Sequence, residues 1–308
     1  MYFFIINPKS KSGHGLKIWN SIQEELRMGG LSYKAWFTEY AGHARKLSQT
    51  LTQSSSMEIF LVVLGGDGTL NEVLDGIANP GQTRLFYIPA GSGNDFARGM
   101  KLPRSPQKAI QFLQTSCQVQ PIDIGTVTSG NVTHRFGVST GIGFDAAICH
   151  EALASPLKTF LNRIHLGKLT YVLIAVKQFI LCTPADFEVY LDNKESKIFH
   201  KAYFAAVMNM QYEGGGIRFC PNAVPDDQLL DVCCISGVDK PRFLLLLLAA
   251  VFGIHRNFRN VHIFRCKSIN IKSNIPLPVH RDGESGGIQS EIFVKLEKEP
   301  FNVNLPMI

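Results

Sequence analysis

What most constrains the fold of this chain is a rhythm in its first 126 residues, where short apolar runs alternate with segments of helical period. Strands are expected at 2–6, 33–38, 59–64 and 84–88, and helices at 16–28, 43–52, 70–77 and 106–115. Strands that are each followed by a helix bury themselves best as a parallel sheet covered on both faces, so the expected class is α/β with a doubly wound N-terminal domain. After Asp123 the rhythm changes to longer strand-like stretches at 135–139, 186–191, 202–209, 230–236, 262–271 and 291–296. These suit an antiparallel, β-sandwich second domain, with helical insertions at 156–181 and 240–257. The expected domains are 1–126 and 127–308, in keeping with about 150 residues per domain.

Composition narrows the class of function. With 45% hydrophobic, 10% aromatic and 18% charged residues, the chain has the makings of a packed core and is not collagen, coiled coil or disordered. The net charge of +6 is shared evenly, 12 basic and 9 acidic groups lying in 1–126, so no basic tail for nucleic acid stands out. Seven scattered cysteines form no metal-spaced set and read as reduced thiols. The opening Met1-Tyr2-Phe3-Phe4-Ile5-Ile6 lacks a basic flank and reads as a first strand rather than a signal peptide. The longest apolar run, 243–254, is 12 residues, short of the roughly 20 that span a bilayer. The expected location is cytoplasmic, with peripheral contact to the inner face of the membrane.

Three loops carry the chemistry. Val62-Val63-Leu64 runs into Gly65-Gly66-Asp67-Gly68-Thr69-Leu70-Asn71-Glu72-Val73, a buried strand, a glycine turn and a helix start. Glycines there let backbone amides approach a polyphosphate at a helix N-terminus, and Asp67 adds a carboxylate for an accompanying cation. Asn7-Pro8-Lys9-Ser10-Lys11-Ser12-Gly13-His14-Gly15 and Pro89-Ala90-Gly91-Ser92-Gly93-Asn94-Asp95-Phe96-Ala97 repeat the arrangement after two other strands. Loops at the carboxyl ends of parallel strands line one crevice, so all three are expected on one ligand. There is no G-x-x-x-x-G-K-[ST], and Ile18 stands where a dinucleotide loop needs its third small residue. Gly141-Ile142-Gly143-Phe144-Asp145-Ala146 matches G-x-G-x-x-A in letters, but no acidic residue follows at 161–166, and it is read as a structural turn.

At these residues the chain resembles the bacterial diacylglycerol kinase catalytic-domain family, soluble lipid kinases related to sphingosine and ceramide kinases. The resemblance runs from Asn7-Pro8 and Gly13, through Gly65–Val73, Gly91–Ala97 and Asp123-Ile124-Gly125, to Pro221-Asn222-Ala223-Val224-Pro225-Asp226-Asp227-Gln228-Leu229-Leu230-Asp231 and Asp282-Gly283-Glu284. It implies a nucleotide-binding domain like that of NAD kinases and 6-phosphofructokinases, and transfer of the γ-phosphate of ATP to a lipid hydroxyl. ATP contacts fall on Asn7, Pro8, Lys9, Ser10, Lys11, Thr38, Gly65, Gly66, Asp67, Gly68, Thr69, Leu70, Asn71, Ser92 and Asn94. Carboxylates organising Mg2+ through water fall on Asp67, Asp95 and Asp123. A structural Mg2+ falls on the main-chain oxygens of Val224 and Leu229 with the Asp227 carboxylate. The family commonly has glycine where Gln228 stands, and often threonine where Ser92 keeps a small hydroxyl.

The implied general base lies in Asp282-Gly283-Glu284, either acid serving, since a lipid hydroxyl needs a carboxylate in hydrogen-bond reach. The same residues also read as a solvated hairpin turn. Seven basic residues and no acidic one lie in 240–272, around the apolar 243–254 helix. Docking on anionic lipid is one reading, and the preferred one is a buried helix closing the second domain's core with solvated charges. The 156–181 segment is expected as a packed amphipathic helix or a lid, and no histidine as a ligand. The expected partner is a diacylglycerol-like lipid at the membrane surface, without nucleic acid; a homodimer is compatible with the sequence. The alternatives are an NAD kinase-like phosphotransferase and a non-catalytic nucleotide- or lipid-binding regulator.

Overall fold

Strand-and-helix alternation builds the first unit in the computed structural model, which describes residues 1–53, 57–103, 105–114, 117–155, 167–192, 194 and 196–306. The strands β1 (Tyr2–Ile6), β2 (Tyr33–Phe37), β3 (Ile59–Gly65) and β4 (Thr83–Pro89) alternate with helices α1 (Ser10–Met28), α2 (His43–Gln53) and α3 (Asp67–Gly76). Helices α4 (Asp95–Gly99) and α5 (Pro106–Gln114) and strand β5 (Cys117–Ile122) follow. In α1, Lys11, Ser12 and Gly13 have left-handed backbone, so regular helix begins beyond them. β2, β1, β3 and β4 pair in parallel, and six of the seven residues of β3 are buried, the signature of a strand covered on both faces. Phe4, Trp19, Ile22, Leu64, Phe86 and Ile110 pack into one core on one side of it.

The sheet is completed from the far end of the chain. Strand β15 (Phe301–Pro306) lies between β4 and β5, giving the order β2-β1-β3-β4-β15-β5. The two compact units are therefore Met1–Asp123 with Lys298–Ile308, and Ile124–Glu297. The second domain expected as a continuous 127–308 gives up its last residues because Phe301 and Val303 bury themselves in the first unit's sheet.

The second unit is antiparallel throughout. Its strands are β6 (Gly125–Ser129), β7 (Val132–Phe136), β8 (Ser139–Gly143), β9 (Ala185–Leu191), β10 (Ser196–Met208), β11 (Leu230–Ser236), β12 (Val261–Cys266), β13 (Ser268–Arg281) and β14 (Glu284–Leu296). Its helices are α6 (Phe144–Ala154), α7 (Gly167–Leu181) and α8 (Lys240–Phe252). Both long strands, β10 and β13, pair with β8 along one stretch and with β9 along another, with register shifts between them. The sheet thereby folds over a core that includes Phe136, Phe187, Val207, Ile271 and Val294. This is the β-rich, sandwich-like domain expected.

Three local readings change. The stretch 135–139 splits between β7 and β8, because the amides of Gly137, Val138 and Ser139 turn to the Asp282 carboxylate. The stretch 262–271 splits at Lys267, whose amide and that of Ser268 donate to Asp192 Oδ1. Gly141–Ala146 is no turn; β8 runs through Gly143 directly into α6. The 240–257 helix also departs from expectation: only Phe243, Leu246 and Ala250 of α8 are buried. An apolar run carries no record of which side meets the core. The earlier half of the 156–181 segment, residues 156–166, lies outside the described residues. Among the described residues, no helix is long and apolar enough to cross a membrane. Cys149, Cys182, Cys220, Cys233, Cys234 and Cys266 are free thiols.

Candidate active site

The first unit brings its three glycine-bearing corners together. Asn7 follows β1, accepts from the Lys9 amide through Oδ1 at 3.0 Å, and donates from Nδ2 to Thr69 Oγ1 at 2.9 Å. The first corner is thus tied to the second. The second and third meet by backbone alone: the Ala90 amide donates to the Gly65 carbonyl at 2.7 Å, and an added Cβ at Gly91 would lie 2.7 Å from Gly66 Cα. No side chain fits at that crossing. Asn94, at φ +53, folds the third corner by accepting from the Gly91 amide at 2.9 Å, and α4 opens at Asp95.

The remaining expected nucleotide residues fall around this crossing. Ser10 Oγ donates to the Asn7 carbonyl at 2.7 Å, while Lys9, Lys11 and Ser92 are exposed. Lys11, Ser12 and Gly13 take φ of 45°, 57° and 90°, and the Gly13 amide donates to the Lys9 carbonyl at 3.4 Å. Thr38 closes β2, its amide donating to the Ile6 carbonyl at 2.8 Å, and Lys9 Nζ reaches the neighbouring Glu39 carbonyl at 3.4 Å. Gly68 lies in the first turn of α3; Leu70 and Asn71 are buried beneath it.

Two of the three expected magnesium carboxylates belong to the same group. Asp67 and Asp95 open α3 and α4, where the positive ends of the helices favour negative charge. Asp67 Oδ1 accepts from the Phe96 amide at 3.4 Å, and Asp95 Oδ1 from Arg98 at 2.9 Å. Both act on buried Tyr87, whose phenol is held well above its usual value by burial first and then by Asp67 and Asp95. Asp123 stands elsewhere. Its neighbour Ile122 pairs with Phe301, and Asn302 pairs with Arg84 and reaches the Gly81 carbonyl. That is the Thr83 end of β4, about 20 Å from Pro89 at roughly 3.3 Å per residue. Glu72, also in the motif, accepts from the Gly42 and Ala44 amides at 2.8 and 3.1 Å and caps α2.

In the second unit, Asp282 and Gly283, at φ +44 and +83, form the two-residue turn between β13 and β14. The hairpin reading of these residues holds. Asp282 accepts from the amides of Gly137, Val138 and Ser139 at 2.8, 2.8 and 2.9 Å. Three such donors fix the carboxylate in place, so Asp282 is a clamp. Glu284 is half-buried at the start of β14.

Beside this turn lies a group that motif reading passed over. Buried His280 Nε2 lies 3.2 Å from Asp145 Oδ2 and 3.3 Å from Glu213 Oε1. Burial alone would strip its proton, but Glu213, Asp145 and Asp282 together raise it to about 9. Asp145 and Glu213 are far apart in sequence, Asp145 in a stretch read as a turn and Glu213 outside every motif, so only the fold joins them. The three polar groups lie within 4.8 Å of one another.

At the expected structural magnesium position the one side-chain ligand, Asp227, is engaged by protein groups. Gln228 takes φ +61, the left-handed conformation that glycine adopts freely, so the loop keeps its bend. However, the Asp227 carboxylate meets the Arg265 guanidinium and accepts from the Leu229 amide at 3.1 Å. Arg265 Nε also lies 3.5 Å from Asp231 Oδ1. Burial lifts Asp231 to about 6 against the pull of Arg265, with Asp227 adding to the rise. Of the residues expected to hold Mg2+ there, Val224, Asp227 and Leu229, Asp227 is thus already paired with a guanidinium.

Two outcomes follow from this geometry. His280 gains protons on folding, so its ion pairs stabilise fully below about pH 6.5 and fade as pH rises through about 9. Thermal melts should show the wild-type protein losing stability over that window and His280→Gln lacking the slope; parallel curves would refute the assignment. Arg265→Gln should lose about 1–3 kcal/mol by leaving buried acid unpaired, and its melting temperature should become responsive to Mg2+ without nucleotide. The wild-type melt should ignore Mg2+ under the same conditions.

Comparison with known proteins agrees with this geometry. Residues 1–127 match the diacylglycerol kinase catalytic domain, and residues 139–305 match the YegS C-terminal NAD kinase beta sandwich-like domain. The chain is 32% identical over 302 residues to YtlR of Bacillus subtilis, covering 93% of this chain and 94% of that protein. It is 26% identical over 296 residues to a diacylglycerol kinase of Staphylococcus carnosus, covering 96% and 92%. In fold it is similar to a diacylglycerol kinase structure from Bacillus anthracis, with TM-score 0.69 and 20% identity over 98% of this chain and 95% of that one. An Archaeoglobus fulgidus NAD kinase in complex with ATP shares the fold at TM-score 0.50 and 14% identity, over 98% and 93%. The chain belongs to the diacylglycerol kinase family and is a lipid kinase.

Proposed function

We propose that this enzyme transfers the γ-phosphate of ATP, with Mg2+, to the hydroxyl of a diacylglycerol-like lipid presented at a membrane surface, giving a phosphatidic-acid-type product. The observation that carries the reading is the backbone crossing of Gly66 and Gly91, beside which α3 and α4 begin, since helix N-termini favour anions. Phosphoryl transfer asks chiefly for positioning and neutralisation of phosphate oxygens, and little covalent help from protein.

In this reading Asn7 to Lys11, Thr38, Gly65 to Asn71, Ser92 and Asn94 hold the nucleotide. Asp67 and Asp95 supply hard carboxylate oxygens of the kind that hold Mg2+ with water and phosphate, and the ion when bound neutralises charge on the transferring group. Glu284 takes the proton of the acceptor hydroxyl. Asp282 keeps the Glu284 turn in place through its three amide bonds, and His280 holds the end of the same strand.

Labelled ATP offered with diacylglycerol and NAD side by side, with and without Mg2+, tests the reading. Label is expected in the lipid, only with Mg2+, and in neither acceptor with Glu284→Gln, which should lower turnover by roughly 10²–10⁴-fold while leaving ATP affinity and the melting temperature unchanged. Label in NAD, or wild-type turnover by Glu284→Gln, would overturn it.

A further inference from the structure

The outer sides of α7 and α8 form the most anomalous surface of the second unit. On α8, Leu244, Leu245, Leu248, Val251 and Phe252 turn outward at 43–73% exposure, while Phe243, Leu246 and Ala250 face the core. Ile254 and Phe258 continue the surface at 57% and 51%. On α7, Val172, Leu173, Val176, Ile180 and Leu181 are exposed by 48–65%. The helices adjoin: the Phe179 ring stacks 6.1 Å from that of Phe243, and Lys240 Nζ donates to the Ile180 carbonyl at 2.5 Å.

A helix on a protein's surface normally turns a polar face outward. Single exposed apolar residues are ordinary, whereas a contiguous field of them marks a contact surface. Here both faces of α8 are apolar, one for the core and one for something else.

Charge identifies the class of partner. Arg242 stands exposed at the start of α8, and Arg256 and Arg259 stand exposed just past its end, interleaved with Ile254 and Phe258. No acidic residue occurs from 240 to 272, and the adjoining Asp239 is engaged in accepting from the Arg242 amide. A second copy placed face to face would bring arginine rim to arginine rim with little counter-charge. An anionic bilayer offers both an apolar layer and phosphates at the same depth.

We propose that the outer faces of α7 and α8, with Arg242, Arg256 and Arg259, form the surface by which this enzyme lies on an anionic bilayer. The leucine and phenylalanine side chains enter the acyl boundary, and the guanidinium groups meet lipid phosphates. What docking delivers, access to a water-insoluble acceptor, rests on the lipid kinase reading; the surface itself does not.

Co-sedimentation of the full chain with vesicles of phosphatidylcholine, alone or with phosphatidylglycerol, tests this. Wild-type binding should rise with phosphatidylglycerol and fall with salt. Leu248→Glu with Phe252→Glu should weaken binding at least tenfold on either vesicle. Arg256→Gln with Arg259→Gln should weaken it about fivefold per charge, on the anionic vesicles alone. Wild-type binding that ignores phosphatidylglycerol, or binding unchanged in both variants, would overturn the proposal. So would a wild-type dimer in light scattering that the Leu248→Glu, Phe252→Glu variant dissociates without change in vesicle binding. Turnover of a short-chain, water-soluble diacylglycerol separates the two readings. Variants that keep it while losing vesicle binding support both, and its absence from wild-type protein that still binds vesicles refutes the kinase reading and leaves the surface standing.

Discussion

Two glycines without side chains hold the phosphate-facing side of this protein together. Gly66 and Gly91 cross at a distance that admits no Cβ, so the corners after β3 and β4 can share a ligand. Adjacent parallel pairing of those strands brings the corners close, and the Ala90 amide bond to Gly65 sets their height. The Asn7 bond to Thr69 then adds the corner after β1. Asp67 and Asp95 follow as a consequence: each begins the helix that its corner releases, so both acids arrive beside the same amides. In such a site the protein's contribution lies in geometry set before any ligand arrives.

The acids of this chain divide into those that could face phosphate and those that fasten the fold, although motif letters make them look alike. Glu72 caps α2, Asp282 gathers three amides, Asp227 meets Arg265, and Asp145 with Glu213 surrounds His280. Each fastening acid has partners fixed around it, which makes it a structural tie.

Much of the fold was legible because period and composition agreed locally. β1 and β11 occupy the spans read from sequence, and α2 and α5 lie within a residue of theirs. Legibility ended where a residue's partner was remote. The return of β15 to the first unit depends on an edge left between β4 and β5, which the letters around Phe301 do not encode. The breaks at Gly137 and Lys267 are made by Asp282 and Asp192, one of them more than a hundred residues away. Similarly, the glycine corners announced themselves by spacing, whereas His280 among its two acids had no spacing to announce it. The outward side of α8 escaped for a different reason: leucines on the core face and on the open face are the same letter.

The claim on which the rest depends is that the Gly66–Gly91 crossing forms the polyphosphate site, and calorimetric titration with Mg·ATP measures it directly. Gly91→Ala must push the two corners apart, so the account predicts at least tenfold weaker Mg·ATP binding by a variant that is still folded at the temperature of the titration, with a lowered melting temperature. Equal affinity in the two proteins would contradict it.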